Sequence, residues 1–231
     1  VDFLEKMGVG VYKVASFEIT DIPLIEHIAS KGKPVIISTG IATFSDIEEA
    51  VNACRRVKNN QIALLKCTSA YPASLEDMNL KTIPDLVEKF NVISGLSDHT
   101  LGIIAPVVSV ALGASIIEKH FILDKKLGGT DASFSLPPEE FMAMVKSVRN
   151  AEKALGEISY KLNERMEKNR RFSRSLFAVE DIKKGELFTE ENVRSIRPGI
   201  GLAPKHLKEI LGKKAKKDIK KGFPLDFNLV K

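Results

Sequence analysis

Two histidines close two apolar runs in the middle of the chain. Val92-Ile93-Ser94-Gly95-Leu96-Ser97-Asp98-His99 ends on Ser-Asp-His, and Ser115-Ile116-Ile117-Glu118-Lys119-His120 ends on Glu-Lys-His, with a helix-length insert between them. Two neutral imidazoles on neighbouring strands make a site for one divalent metal ion. That chemistry requires both runs to be parallel strands of one barrel, because such barrels carry their reactive groups at the carboxyl ends of the strands. On spacing alone the alternative stays open that each ring is a barrel-mouth residue satisfied locally. Lys13, Ser16, Ser38, Ser69 and Ser97 end or follow apolar runs too, and can donate to a phosphate or a carboxylate. A lone Ser at a strand end more often bonds its own backbone. Lys13 is harder to dismiss, since a lysine inside an apolar strand is rarely buried without an anionic partner.

Each of these groups needs a strand to carry it. Val11 to Ser16, Pro34 to Gly40 and Gln61 to Cys67 read as strands, the last two as continuous buried runs. Helical patterns separate the five strands: Pro23 to Ser30, a helix capped by Ser45 with Glu48 at capping-box spacing and running to Lys58, Leu80 to Lys89, and Ile104 to Leu112. A last amphipathic helix, Glu139 to Leu155, follows Pro137-Pro138. Strand and helix alternate through five units, which predicts an α/β fold, a partial (β/α)₈ barrel made of five βα units. An open doubly wound sheet is the alternative, but no Gly-rich phosphate loop follows any strand. Cys67 has no His-Asp pair near it in sequence and reads as packing; His27 and His206 read as surface residues.

The barrel portion is expected over residues 1–158, a charged linker over 159–171, and a small second domain over 172–231. In that domain Ser175 to Val179 reads as a strand and Thr189 to Asn192 as the start of a short helix. Lys183-Lys184-Gly185 and Lys220-Lys221-Gly222 suggest a pseudo-repeat of strand, turn and short helix. A unit of about 60 residues is marginal for independent stability.

Composition bounds the function classes. The 231 residues are 44% hydrophobic and 28% charged, enough to bury a core. The formal charge of +5 is concentrated at the C-terminus, where Lys and Arg outnumber Asp and Glu by 14 to 8 from Phe172 onward. A solvated basic surface or attraction to an anionic ligand follows; nucleic acid is disfavoured by the scatter of these charges among turns with few aromatics. No apolar run is long enough to span a membrane. Two cysteines, Cys54 and Cys67, make no disulfide framework and fit a reducing cytoplasm. The chain opens on Val1 inside a helical pattern, and a fragment of a longer protein is the expectation.

Beyond pattern, the chain resembles the sialic-acid-synthase-like enzymes, which condense phosphoenolpyruvate with an amino sugar into a nonulosonic acid. The matching residues are Lys13-Val14-Ala15-Ser16-Phe17-Glu18, Ile36-Ile37-Ser38-Thr39-Gly40, Cys67-Thr68-Ser69-Ala70-Tyr71-Pro72, Gly95 to Thr100, Glu118-Lys119-His120-Phe121, Asp131 with Phe134-Ser135, and Arg197-Pro198-Gly199. The tail resembles the family's antifreeze-like (SAF) domain. Ser16-Phe17-Glu18, Cys67 to Tyr71 and the run Arg170 to Phe177 look most like the pseudaminic acid synthase branch, with the N-acetylneuraminate and legionaminic acid branches as alternatives.

The resemblance implies roles. His99 and His120 would hold Mn²⁺ or Mg²⁺, which polarises the open-chain sugar's carbonyl oxygen. Lys13, Ser16, Ser38 and Ser97 would contact phosphoenolpyruvate, and Ser69 an equivalent rim position. Glu18 is the candidate acid/base. Tyr71 and Asp131 would contact the sugar. Arg197 would reach the sugar's N-acyl group from the partner subunit of a domain-swapped homodimer. Family members carry a further N-terminal portion with the first three barrel strands, so the present chain alone is expected to lack turnover. Another barrel enzyme, such as a divalent-metal aldolase or a related 3-deoxy-ulosonate synthase, and a non-catalytic carbohydrate-binding protein are the remaining alternatives.

Overall fold

Short strands, each closing an apolar run, build the first part of the chain. In the computed structural model, which describes residues 1–231, they alternate with helices. The order is α1 (Asp2–Lys6), β1 (Tyr12–Val14), α2 (Ile22–Ala29), β2 (Val35–Ser38), α3 (Phe44–Arg56), β3 (Ile62–Cys67), α4 (Thr82–Phe90), β4 (Ile93–Asp98), α5 (Ile104–Ala111), β5 (Ile116–Lys119) and α6 (Pro138–Leu155). The strands form one parallel sheet in the order β1-β2-β3-β4-β5. The sheet is strongly curved: Lys13 Nζ of edge strand β1 lies 3.6 Å from Glu118 Oε1 of the opposite edge strand β5. The expected partial barrel is therefore present as five βα units, and the open-sheet alternative falls away.

Alternation along each strand sorts the side chains onto two faces. Tyr12, Val14, Val35, Ile37, Ile62 and Leu64 face outward and pack with Ile25 and Ile28 of α2 and Ala50, Val51 and Cys54 of α3. Leu96 continues this layer against Met78, Ile83 and Ala105. The inner face carries Ile36, Ala63 and Ile93, which line an apolar cavity of about 580 Å³ at the amino ends of the strands. That cavity holds none of the groups able to do chemistry; those sit at the carboxyl ends. α3 begins two residues earlier than the Ser45 cap expected from sequence. Thr43 is its N-cap: the Asp46 carboxylate accepts from Thr43 N at 2.8 Å and from Thr43 Oγ1 at 2.6 Å, leaving Ser45 inside the helix.

The chain divides into two compact units, Val1–Glu157 and Ile158–Lys231. In the second, a helix lies within the stretch read as linker: α7 (Glu164–Arg170), capped by Asn163 Oδ1, which accepts from Met166 N at 2.9 Å. β6 (Ser175–Ala178) pairs antiparallel with β7 (Val193–Ile196), and α8 (Leu207–Ile210) follows. The helix expected to start at Thr189 is a single turn instead. Thr189 N is taken by Asn192 Oδ1 at 2.8 Å, and Val193 enters β7 rather than extending the turn. The Lys-Lys-Gly echo is a reciprocal clasp of two identical Asp-Ile-Lys-Lys-Gly segments. Asp181 Oδ1 accepts from Lys221 N at 2.9 Å, Asp218 Oδ1 accepts from Lys184 N at 2.8 Å, and Ile182 and Ile219 exchange backbone bonds at 2.8 Å. The unit's core gathers Leu176, Phe188, Val193, Ile210, Ile219 and Leu225. No helix in the chain is long and apolar enough to cross a membrane.

Candidate active site

Two consecutive rungs between β4 and β5 set up the site. Ser97 is in register with Glu118, and Asp98 with Lys119. The first pair points inward, where Ser97 Oγ donates to Glu118 Oε1 at 2.6 Å. The second points outward and forms an ion pair at 2.6 Å with both side chains fully buried. One residue further, alternation returns His99 and His120 to the inner face.

The two imidazoles meet there, with ring centroids 5.2 Å apart at 64°. Tyr71 covers His99 at 4.4 Å, and Phe134 meets His120 edge-on at 5.0 Å. Each ring has its Nδ1 turned to an acceptor: His99 Nδ1 donates to the Thr68 carbonyl at 3.0 Å, and His120 Nδ1 lies 3.5 Å from Asp131 Oδ2. That orientation leaves both Nε2 lone pairs free, the arrangement found when histidines serve as metal ligands. Burial and the neighbouring charge on His99 lower the pKa of His120, only partly offset by Asp131 and Glu118. Burial also pulls His99 down, but contacts with Cys67 and the Thr68 carbonyl outweigh it and the net shift is upward. No third His, Cys, Asp or Glu completes a metal-binding group. Two imidazoles, that of His99 held by the Thr68 carbonyl and that of His120 turned toward Asp131, fit a divalent ion that keeps open positions for water and substrate.

Beside the histidines lies a small polar floor. Ser16 Oγ and Ser69 Oγ are hydrogen-bonded at 2.7 Å, and Cys67 Sγ sits 3.8 Å from Ser69 Oγ and 3.9 Å from His99 Nδ1. Gly40 closes over them: a Cβ there would stand 2.2 Å from Ser69 Oγ, 2.6 Å from Ser16 Oγ and 2.8 Å from Cys67 Sγ. Ser38, on the inner face of β2, has a buried hydroxyl with no partner. Lys13 reaches over the inner face, its Nζ donating to the Val14 carbonyl at 3.1 Å besides approaching Glu118. The unpaired Ser38 hydroxyl and the Lys13 ammonium on one concave face suit an anionic ligand.

Direct contacts thus join His99, His120, Tyr71 and Asp131 in one group, Ser16 with Ser69 in a second reached through Cys67, and Lys13 with Ser97 through Glu118. Glu18 is exposed at the end of a short 3₁₀ turn, Ser16–Glu18, and makes no hydrogen bond to the histidines. Arg197 belongs to the second unit, exposed in the loop after β7. Sequence reasoning passed over Cys67, set aside as packing, together with Glu118 and Phe134. Strand parity was the available signal for Glu118, since it shares an inner face with His120; Phe134 was marked only by the motif it shares with the family, because its loop reaches the rim only through the fold.

With this geometry in hand, comparison with known proteins identifies the family. Residues 1–160 match the NeuB family and residues 173–231 the SAF domain. The chain belongs to the NeuB family, the sialic acid synthase family, and ends in a SAF domain. It is 54% identical over 225 residues to the pseudaminic acid synthase of Campylobacter jejuni, a match covering 97% of this chain and 66% of the relative. The pseudaminic acid synthase of Helicobacter pylori is 49% identical over 226 residues, with the same coverage. Among solved structures, the spore coat polysaccharide biosynthesis protein spsE of Bacillus subtilis superposes with a TM-score of 0.65 at 36% identity, covering 100% of this chain and 70% of that one. The chain therefore spans 66% of the length of these curated relatives.

Proposed function

We propose that this site serves a nonulosonic acid synthase of the pseudaminic acid type. In that reaction C3 of phosphoenolpyruvate bonds to the aldehyde carbon of an open-chain diacetamido-trideoxyhexose, water adds at C2, and inorganic phosphate leaves. The observation that carries the reading is the pair of imidazoles with free Nε2 atoms, on the same inner face as the donors Lys13, Ser38 and Ser97, in a chain 54% identical to a pseudaminic acid synthase.

The residues divide the work by chemistry. Lys13, Ser38 and Ser97, with Ser16 and Ser69 beside them, hold the phosphate and carboxylate of the enolpyruvate through charge-assisted hydrogen bonds. His99 and His120 hold a divalent ion, Mn²⁺ being better suited to imidazole than Mg²⁺. When bound, that ion supplies Lewis acidity toward the sugar aldehyde. Tyr71 and Asp131 orient the sugar, and Asp131 also lies 3.5 Å from His120 Nδ1. Glu18 moves the proton of the attacking water. Arg197 meets the N-acyl group from the partner subunit of a homodimer, with the SAF domain exchanged between subunits.

A mass spectrum of the product tests this. The protein, carried at the relatives' full length, is offered each candidate amino hexose with phosphoenolpyruvate and Mn²⁺. The expected result is one nine-carbon product retaining the pyruvyl unit, formed with stoichiometric phosphate release from the diacetamido-trideoxyhexose. An N-acetylneuraminate or legionaminate product would move the protein to another branch. Sugar binding that is indifferent to metal, with no phosphate released, would leave a carbohydrate-binding protein instead.

A further inference from the structure

We propose that the buried Asp98–Lys119 pair positions the two histidines by tying the end of β5 to both flanks of His99; the functional side of this inference rests on the metal site proposed above. The regular ladder between β4 and β5 stops at the Asp98–Lys119 rung, one residue short of each histidine. Beyond it the two chains part: Ala73 N bonds the His99 carbonyl, and Leu136 N bonds the His120 carbonyl. What spans the gap is the ion pair. Asp98 Oδ2 accepts from Lys119 Nζ at 2.6 Å, and Asp98 Oδ1 accepts from Thr100 N at 2.9 Å. Lys119 Nζ also donates to the Thr100 carbonyl. A single ammonium therefore grips the residue before His99 and the residue after it, while its own backbone leads directly into His120.

The burial of the pair argues for geometry over stability. Both side chains are fully excluded from water. Desolvating two charges offsets most of what their attraction returns, and apolar residues of similar volume often replace such pairs without loss. An apolar pair would fill the space but could not hold the Thr100 backbone by both its N–H and its carbonyl. Asp98 and Lys119 point away from the inner face and touch no substrate, so they are positioning residues.

The test is the double substitution Asp98→Asn, Lys119→Met in this 231-residue chain. It leaves no charge stranded and keeps an acceptor for Thr100 N, while removing the tie to β5. Two readouts follow. Free Mn²⁺ is titrated by electron paramagnetic resonance, and the imidazole nitrogens are observed by ¹⁵N NMR without metal at mildly alkaline pH. In the unsubstituted chain both rings are expected as single Nδ1-protonated tautomers. In the double variant we expect a cooperative melt, mixed or broadened tautomer signals, and Mn²⁺ affinity reduced about 10–100-fold, the range for lost outer-shell partners of a metal site. A folded variant with unchanged imidazole spectrum and unchanged affinity would overturn the inference. If the unsubstituted chain takes up no Mn²⁺, the metal reading fails, and the imidazole spectra alone decide the positioning role. Should the double variant unfold, the neutral pair Asp98→Asn, Lys119→Gln, which keeps polar groups on both strands but no ammonium to span them, carries the same two readouts with the same criteria.

Discussion

At the scale of single residues, the site is a question of which nitrogen is left free. His99 gives its Nδ1 proton to the Thr68 carbonyl and His120 turns its Nδ1 toward Asp131, so neither Nε2 is taken up by these contacts, with the ring centroids 5.2 Å apart. Because the pKa of His99 is raised, by contacts with Cys67 and Thr68 that outweigh burial, a proton competes with metal at that ring first. Mn²⁺ affinity should be flat above the His99 pKa and fall about tenfold per pH unit below it, one proton being displaced per ion. A calorimetric titration series across pH checks the slope, and a pH-independent affinity would contradict it. Gly40→Ala places a methyl against Ser69, Ser16 and Cys67 at once and is expected to destabilise by about 1–3 kcal/mol, read from denaturant unfolding. In a protein of the relatives' full length, the proposed function predicts that Arg197→Ala raises the KM for the sugar and spares that for phosphoenolpyruvate; equal effects on both would remove Arg197 from the sugar. The histidines were legible because each ends an apolar run. Cys67 and Glu118 were harder to read, because their contacts with His99 and Lys13 depend on register and sheet curvature.

At the scale of elements, parity decides the layout. Five strands could be read from five apolar runs, and their order follows from short βα connections. Only register shows that Ser97 with Glu118 and Asp98 with Lys119 are successive rungs on opposite faces. Caps were read less well: Ser45 with Glu48 has capping-box spacing, yet Thr43 with Asp46 has the same spacing two residues earlier and closes the helix. In the SAF domain the repeated Lys-Lys-Gly was visible, but its pairing needed coordinates. Asp181 is held below the usual carboxylate range by Lys220 and the Lys221 N–H, and Asp218 by the Lys184 N–H and Lys183. A carboxylate with a depressed folded pKa contributes its stability above the unfolded value of about 3.9 and loses it as pH falls through the folded one. The clasp should therefore be insensitive to pH from neutral down to about 4 and weaken below that. Protection of the Lys184 and Lys221 amides in acid-pulsed hydrogen exchange checks this; protection lost already near pH 6 would rule the carboxylates out.

At the scale of the whole molecule, β1 and β5 are each hydrogen-bonded on one side only, while Lys13 and Glu118 from those same edges meet across the inner face. Open parallel edges and a 580 Å³ apolar hollow are surfaces that a complete barrel would cover. Compared at equal concentration, the 231-residue chain should show no turnover while a protein of the relatives' full length turns over; equal rates would show that five strands suffice. The proposed chemistry turns on two side chains that this chain holds side by side. The most direct test is a Mn²⁺ titration of the chain and of its His99→Ala and His120→Ala variants, followed by electron paramagnetic resonance. We predict one ion per chain, lost on either substitution with the melting transition retained; binding that survives removal of either ring would contradict a shared ion at this rim.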